Sequence, residues 1–179
     1  MKREFETIVI GGGVIGSSIA YHLSETNPGR TLVIEKNYPL SGTSGSTQAW
    51  VWVHTKTPSW YGEFSMLSAE LYPYLARRIG DIEYNRNGGL AFFFSEAERE
   101  IAKKLAESQA KVGIEIKVLD RDELRAMEPA ISPDILGATY SAIDGSVNPM
   151  RLVEMYMKAA KKNGVTYESC ISQIKISKL

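Results

Sequence analysis

The sequence predicts an α/β fold that opens on a parallel βαβ unit, and three local features carry that expectation. Thr7-Ile8-Val9-Ile10 is a short β-branched run ended by three glycines, the form taken by a strand buried on both faces. A stretch with helical periodicity follows it. Thr31-Leu32-Val33-Ile34-Glu35 is then a second apolar run of strand length, closed by an acid. Strand, helix and parallel strand in this order make one crossover unit.

Composition bounds what such a chain can do. A chain of 179 residues, 44% of them hydrophobic, buries roughly 70% of the surface its unfolded form exposes, so it needs neither disulfide nor metal to build a core. Its 21 Lys+Arg balance 21 Asp+Glu, and without a basic block it lacks the field that holds a phosphate backbone. Nucleic acid is therefore not an expected partner. The lone cysteine, Cys170, has no partner within the chain, which points to a reducing, cytoplasmic compartment. The apolar stretch from Ile8 to Ala20 is broken by Gly11, Gly12, Gly13 and Gly16, and Glu4 and Glu6 cancel the charge of Lys2 and Arg3, so it is not read as a signal peptide. No run reaches the about 18 to 20 apolar residues that cross a bilayer.

Each further element has its own signal. In the first helix Ile15, Ile19, His22 and Leu23 share one face, and Asn27-Pro28-Gly29 stops it. Ser41 to Thr47 contains no apolar residue and reads as loop. Trp60, Phe64, Leu67, Leu71 and Leu75 keep helical spacing, with Pro73 expected to bend the helix or mark a restart. Gly88-Gly89 turns into the apolar run Leu90 to Phe94. Ser95 with Glu98 is a capping box that opens a helix through Ala97, Ile101, Leu105, Ser108 and Val112. Ile114 to Leu119 alternates as a half-buried strand, and Asp120 with Glu123 caps a short helix stopped by Pro129. Asn148 and Pro149 open the last helix, Gly164 closes it, and Val165 to Ile176 reads as strand.

Chemistry concentrates at Gly11-Gly12-Gly13-Val14-Ile15-Gly16, a Gly-x-Gly-x-x-Gly pattern set between the first strand and the first helix. Gly11 suits a tight turn, Gly13 lets a pyrophosphate reach the backbone, and Gly16 lets helix and strand pack closely. The helix start offers amide donors and a partial positive charge. Glu35 follows Gly16 by about 20 residues, the spacing at which a carboxylate takes hydrogen bonds from an adenosine ribose. Such an acid repels a 2′-phosphate, which disfavours NADP. FAD and NAD share the pattern. After Glu35, however, comes the Ser/Gly/Thr loop and then Gln48-Ala49-Trp50-Val51-Trp52-Val53-His54 rather than a prompt helix. Such a loop suits a second stretch of an extended cofactor, so FAD is favoured and an NAD-dependent dehydrogenase is the lesser alternative.

At these residues the sequence resembles the FAD-dependent D-amino acid oxidase superfamily, and within it glycine oxidase and opine-oxidase-like flavoproteins. The Ser41 to Gln48 loop, Asn87-Gly88-Gly89-Leu90, Glu128-Pro129, and Asp144-Gly145 followed by Asn148-Pro149 carry the resemblance beyond the glycine motif. It implies a Rossmann-type FAD-binding βαβ domain with part of an inserted α+β substrate domain, in an α/β chain. The first piece of the FAD domain would span residues 1–78, the partial substrate domain 79–143, and the second, incomplete FAD piece 144–179. The implied activity is FAD-dependent oxidation of the C–N bond of a small amine or amino acid. Val14 and Ile15 would bring backbone amides to the pyrophosphate, on the cofactor-binding turn that Gly11, Gly13 and Gly16 form. Glu35 and Lys36 would bracket the adenosine. Thr43, Ser44, Thr47, Gln48 and Ala49 would line the path to the flavin ring, and Gln173 would touch the adenine side.

Family members continue well past Leu179, so the chain reads as the N-terminal portion of such an enzyme. The alternative is a non-catalytic FAD-binding fragment or subunit that works only with a complementary chain; a homo-oligomer is the other partner arrangement left open. No side chain is singled out as the catalytic acid or base. His22 and His54 are the only histidines, and no metal-ligand spacing is present. His22 is expected to be structural, and His54, just past the loop, has a weaker claim on the site. Ser177-Lys178-Leu179 is a peroxisomal address only if it is the natural C-terminus.

Overall fold

A computed structural model describes residues 4–172. Gln173 and Ser177-Lys178-Leu179, singled out above, lie outside the described residues. In chain order the elements are β1 (Thr7–Ile10), α1 (Val14–Thr26), β2 (Thr31–Ile34), a 3-10 turn at Thr43–Gly45, β3 (Trp50–Val51), α2 (Ser59–Ile79), β4 (Gly89–Phe93), α3 (Glu96–Ala110), β5 (Lys117–Asp120), α4 (Arg121–Met127), β6 (Gly137–Ser141), β7 (Gly145–Ser146), α5 (Pro149–Lys162) and β8 (Thr166–Glu168). They fall into two compact units. The first takes in the chain up to Ala49, Leu75–Glu83 and the chain from Val147, and the second takes in Trp50–Tyr74 and Tyr84–Ser146.

The first unit holds a parallel sheet in the order β1-β2-β8, with Val9 opposite Val33 and Leu32 opposite Thr166. All four residues of β2 are buried, as befits the centre of a parallel sheet. Helices α1 and α5 pack on each other. The buried face of α1 is Ser17, Ala20, Tyr21 and Ser24, which differs from the face that its large apolar residues suggest. Ile15 is 75% exposed and Ile19 is also exposed. Small side chains, not the isoleucines, make up most of that buried face, and small residues let a helix approach its neighbours closely. Ring contact between Tyr21 and Tyr156, with centroids 5.6 Å apart, joins α1 to α5. The start of α5 is as read: Asn148 Oδ1 accepts the amides of Met150 at 3.0 Å and Arg151 at 3.2 Å, with Pro149 in the first turn. Gly164 ends the helix at a φ of +87° that disfavours any side chain.

The second unit holds an antiparallel sheet in the order β4-β6-β5 and a two-stranded pair of β3 with β7. Its centre is β6, which pairs Leu90 with Tyr140 on one side and Leu119 with Ala138 on the other. Sequence reasoning passes over this strand because Gly137-Ala138-Thr139-Tyr140-Ser141 has neither an apolar run nor clean alternation. Helix α4 seats Leu124 in a core with Leu119, Ile135 and Ala138. Its capping box is complete, since Asp120 Oδ1 accepts the Asp122 and Glu123 amides while Glu123 Oε2 accepts the Asp120 amide. At α3 the box is shifted. Ser95 Oγ accepts the Glu98 amide, but the Glu98 carboxylate reaches back to the Phe94 amide, at 2.6 Å. The strand expected from Ile114 begins instead at Lys117, with Ile114 buried just ahead of it.

Helix α2 is continuous through Pro73, which forfeits one backbone hydrogen bond without ending the helix. Its Trp60, Phe64, Leu67 and Leu71 are exposed, while Ala69, Leu75 and Ile79 are buried. Among the described residues no helix is long and apolar enough to cross a membrane.

Candidate functional site

The glycine turn joins β1 to α1. Gly11 adopts a φ of +112°, open to glycine and strained for any other residue. Its amide donates to the Ile34 carbonyl at 2.8 Å, tying the turn to β2. A methyl group on Gly16 would run into the Gly11 carbonyl oxygen and press on Val9 at 3.4 Å, so only glycine lets α1 start this close to the strand. Gly13 is the N-cap of α1 in extended conformation, and no side chain caps the helix from that position, nor does an acid stand in its first turn. The helix start therefore keeps its partial positive charge.

Two side chains from other segments close on this turn. Glu35, one residue past β2, accepts the Gly12 amide on Oε2 at 2.7 Å and the Asn37 amide on Oε1 at 2.9 Å. The Asn37 and Gly12 amides together hold its carboxyl below the usual glutamate range, against a smaller opposing effect of burial. From the 3-10 turn Ser44 accepts the Val14 amide on Oγ at 3.0 Å. A methyl group on Gly13 would lie 2.9 Å from that hydroxyl, so the missing side chain is what lets Ser44 reach the helix start. The loop that reads as featureless polar sequence is folded onto the turn.

Of the residues singled out from sequence, Gly11, Gly13, Val14, Gly16, Glu35 and Ser44 come together here. Thr43 shares the 3-10 turn with Ser44, its carbonyl accepting the Ser46 amide at 3.1 Å. Ile15 follows Val14 in the first turn of α1 with its side chain in solvent. Lys36, Thr47 and Gln48 are exposed. Ala49 has a φ of +66° and accepts the Val147 amide at 2.9 Å. His22 is on the solvent side of α1, bonded to Glu25 at 3.2 Å. Among the described residues no group of three or more His, Cys, Asp or Glu could hold a metal ion.

The second unit contains a polar cluster that the sequence does not announce. His54 and Asp144 are both fully buried and bonded through His54 Nδ1. The other Asp144 oxygen accepts the Val53 amide at 2.7 Å and the His54 amide at 3.3 Å. Three donors thus converge on one carboxylate, which satisfies an acid in a dry interior. The Trp52 ring lies over His54 with centroids 4.4 Å apart, and Trp50 meets Trp52 edge-on at 5.3 Å. A methyl group on Gly89 would collide with both Trp52 and Asp144. The one available signal was an acid beside Gly145 in a motif already noted; its partner lies far away in sequence.

Comparison with known proteins gives the family. Residues 6–172 match the family model described as FAD dependent oxidoreductase, DAO. The hydrogen cyanide synthase subunit HcnC of Pseudomonas aeruginosa is 27% identical, the match covering 92% of this chain and 49% of that one. An opine oxidase subunit of Agrobacterium tumefaciens is 30% identical, over 92% of this chain and 47% of the relative. Among solved structures, glycine oxidase from Bacillus cereus superposes with a TM-score of 0.86 at 28% identity, covering 97% of this chain and 49% of that one. The chain spans about half the length of the curated relatives it matches. With the family model spanning nearly all of its described residues, the chain belongs to the DAO family of FAD-dependent oxidoreductases.

Proposed function

We propose that this chain forms the N-terminal, FAD-binding part of an enzyme that oxidises the C–N bond of a small amine or amino acid. The observation that carries the reading is the convergence of the Glu35 carboxylate and the Val14 amide on one glycine turn. These residues fit FAD. The carboxylate takes the Gly12 and Asn37 amides, and a ribose hydroxyl would share its other acceptor sites with the neighbouring Lys36 amide and Ser41 hydroxyl. The start of α1 has no acid in its first turn and suits a diphosphate oxygen, which would take over the Val14 N–H that Ser44 Oγ accepts. Gly11, Gly13, Ile15 and Gly16 complete the turn, and Lys36, Thr43, Thr47, Gln48 and Ala49 would serve more distant parts of the cofactor. In functional terms residues 1–78 and 144–179 belong to the cofactor domain and 79–143 to the substrate domain, a division by role that cuts α2 and the loop before α5 differently from the compact units. A cytoplasmic location belongs to the same reading.

Bound flavin supplies a two-electron oxidant. Oxidation of that bond would move a hydride from the carbon next to nitrogen to the bound flavin and a proton from the nitrogen to solvent, and the imine left would take up water to give a carbonyl compound and an amine or ammonia. The chain's own contribution is to hold the cofactor's phosphate and sugar on a rigid turn, fixing the depth at which the ring would meet a substrate.

The half-length match supports a second reading, in which the chain is an FAD-binding subunit that turns over substrate only with a complementary polypeptide; HcnC and the opine oxidase relative are both subunits by name. Titration of the purified chain with FAD tests the common core. Saturable binding with yellow colour, lost in Glu35→Arg, is expected, and no binding at saturating FAD overturns both readings. Amine-dependent bleaching of that colour without added protein selects the first reading, and bleaching only with a partner selects the second.

A further inference from the structure

A cavity of about 510 Å³ opens on one face of the antiparallel sheet of the second unit, a size usual for small-molecule sites. Leu90, Phe92 and Tyr140 come from β4 and β6, Trp50 from β3, and Met127 and Glu128 from the end of α4. Leu90 and Tyr140 are cross-strand partners, so their side chains share a face, and alternation puts Phe92 on it too. The wall is built rather than incidental. Gly88 adopts a φ of +84°, and a methyl group there would run into the Tyr140 ring. Trp50 is backed by Trp52, which in turn lies on the buried pair of His54 and Asp144. Among the described residues that line the cavity, Glu128 alone carries a charge.

Three aromatic rings and one carboxylate recognise a particular chemistry. Ring faces attract cations and bury apolar surface, and a carboxylate at the rim attracts an ammonium and repels an acid. A two-carbon amino acid would leave most of this volume unfilled. We infer that the cavity binds an ammonium ion bearing a bulky apolar, preferably aromatic, substituent, and that such amines are the substrate class of this chain. The inference rests on the proposed amine oxidation, and it names which amines.

The test uses the 179-residue chain and three probes of matched shape, followed by ligand-observed saturation-transfer NMR: benzylamine, benzyl alcohol and benzoate. Benzylamine, protonated at neutral pH, is expected to bind saturably, benzyl alcohol about three-fold more weakly, and benzoate more weakly still, the modest ratio reflecting an exposed carboxylate. Glu128→Gln should bring benzylamine down to the level of the alcohol, and Phe92→Ala should weaken both. Glu128 and Phe92 are exposed, so neither substitution threatens folding. Equal binding of benzoate and benzylamine, or an unchanged amine-to-alcohol ratio in Glu128→Gln, overturns the inference. The two levels fail separately. If benzylamine binds but FAD does not, the oxidase reading falls and the cavity stands. If the FAD-loaded chain is bleached by glycine while benzylamine neither binds nor bleaches it, the cavity assignment falls alone.

Discussion

Oε2 of Glu35 accepts the backbone N–H of Gly12 at 2.7 Å, joining the tip of β2 to the turn that follows β1. The bond is charge-assisted, and such bonds are worth about 1.5–3 kcal/mol. Glu35→Gln keeps the shape and loses the charge, so it is expected to weaken FAD binding about tenfold, measured by flavin fluorescence titration. An affinity equal to wild type would mean the carboxylate has no share in the cofactor site.

The same carboxylate gives a pH signature. The Asn37 and Gly12 amides hold its folded-state pKa below the ordinary value, so the ionised form belongs to the folded state. Its stabilisation is complete above the unfolded value of about 4.3 and is lost as pH falls through the lower folded value. Urea midpoints measured between pH 6 and pH 3 should fall less steeply in Glu35→Gln than in wild type.

Asp144→Ala would strand the Val53 and His54 amides and the His54 ring nitrogen in a dry interior. A loss of about 3 kcal/mol or more is expected, read from denaturant unfolding. His54→Ala should cost comparably, and the double variant less than the sum of the two, because both break one cluster.

The two faces of α1 should respond in opposite ways. Ile15 is 75% exposed and Ala20 fully buried. Ile15→Gln is expected to change the stability of this chain by no more than about 0.5 kcal/mol, whereas Ala20→Leu forces a larger side chain into the buried face and should cost about 1–3 kcal/mol. Thermal unfolding of the two variants side by side checks the assignment.

Gly16→Ala places a methyl group on the Gly11 carbonyl oxygen. Backbone, not a flexible side chain, must move, so a cost of about 1–3 kcal/mol should be accompanied by loss of FAD binding. Gly42→Ala, where nothing lies within 4 Å of the added atom, is the control and should retain FAD.

Legibility in the sequence followed locality. Elements fixed by neighbouring residues were readable: the capping box at Asp120, the Asn148-Pro149 start, the strands β1 and β2, and the glycine turn with its distant acid; at Ser95 only the serine half of the expected box formed, and β1 leaves Ile8 and Ile10 exposed where burial on both faces was expected. What depended on remote partners was not. The burial of Ser17, Ala20 and Ser24 in place of Ile15 and Ile19 is set by the elements packed on α1, among them α5, which arrives more than a hundred residues later. Strand β6 is held by neighbours on both sides and not by its own pattern. The pairing of His54 with Asp144 follows from topology alone. A composition without apolar residues marked Ser41 to Thr47 as loop, but nothing in it foretold that Ser44 would hold the Val14 amide.

That last bond sets a condition on loading. The Val14 amide has Ser44 Oγ as its acceptor, so an anion bound at that amide would compete with a neutral hydroxyl and gain only the difference between the two acceptors. Ser44→Ala would leave the donor to solvent, and the turn would trade an internal plug for water. The hydroxyl ties the 3-10 turn to the first turn of α1, so a change in either segment would be felt in the other.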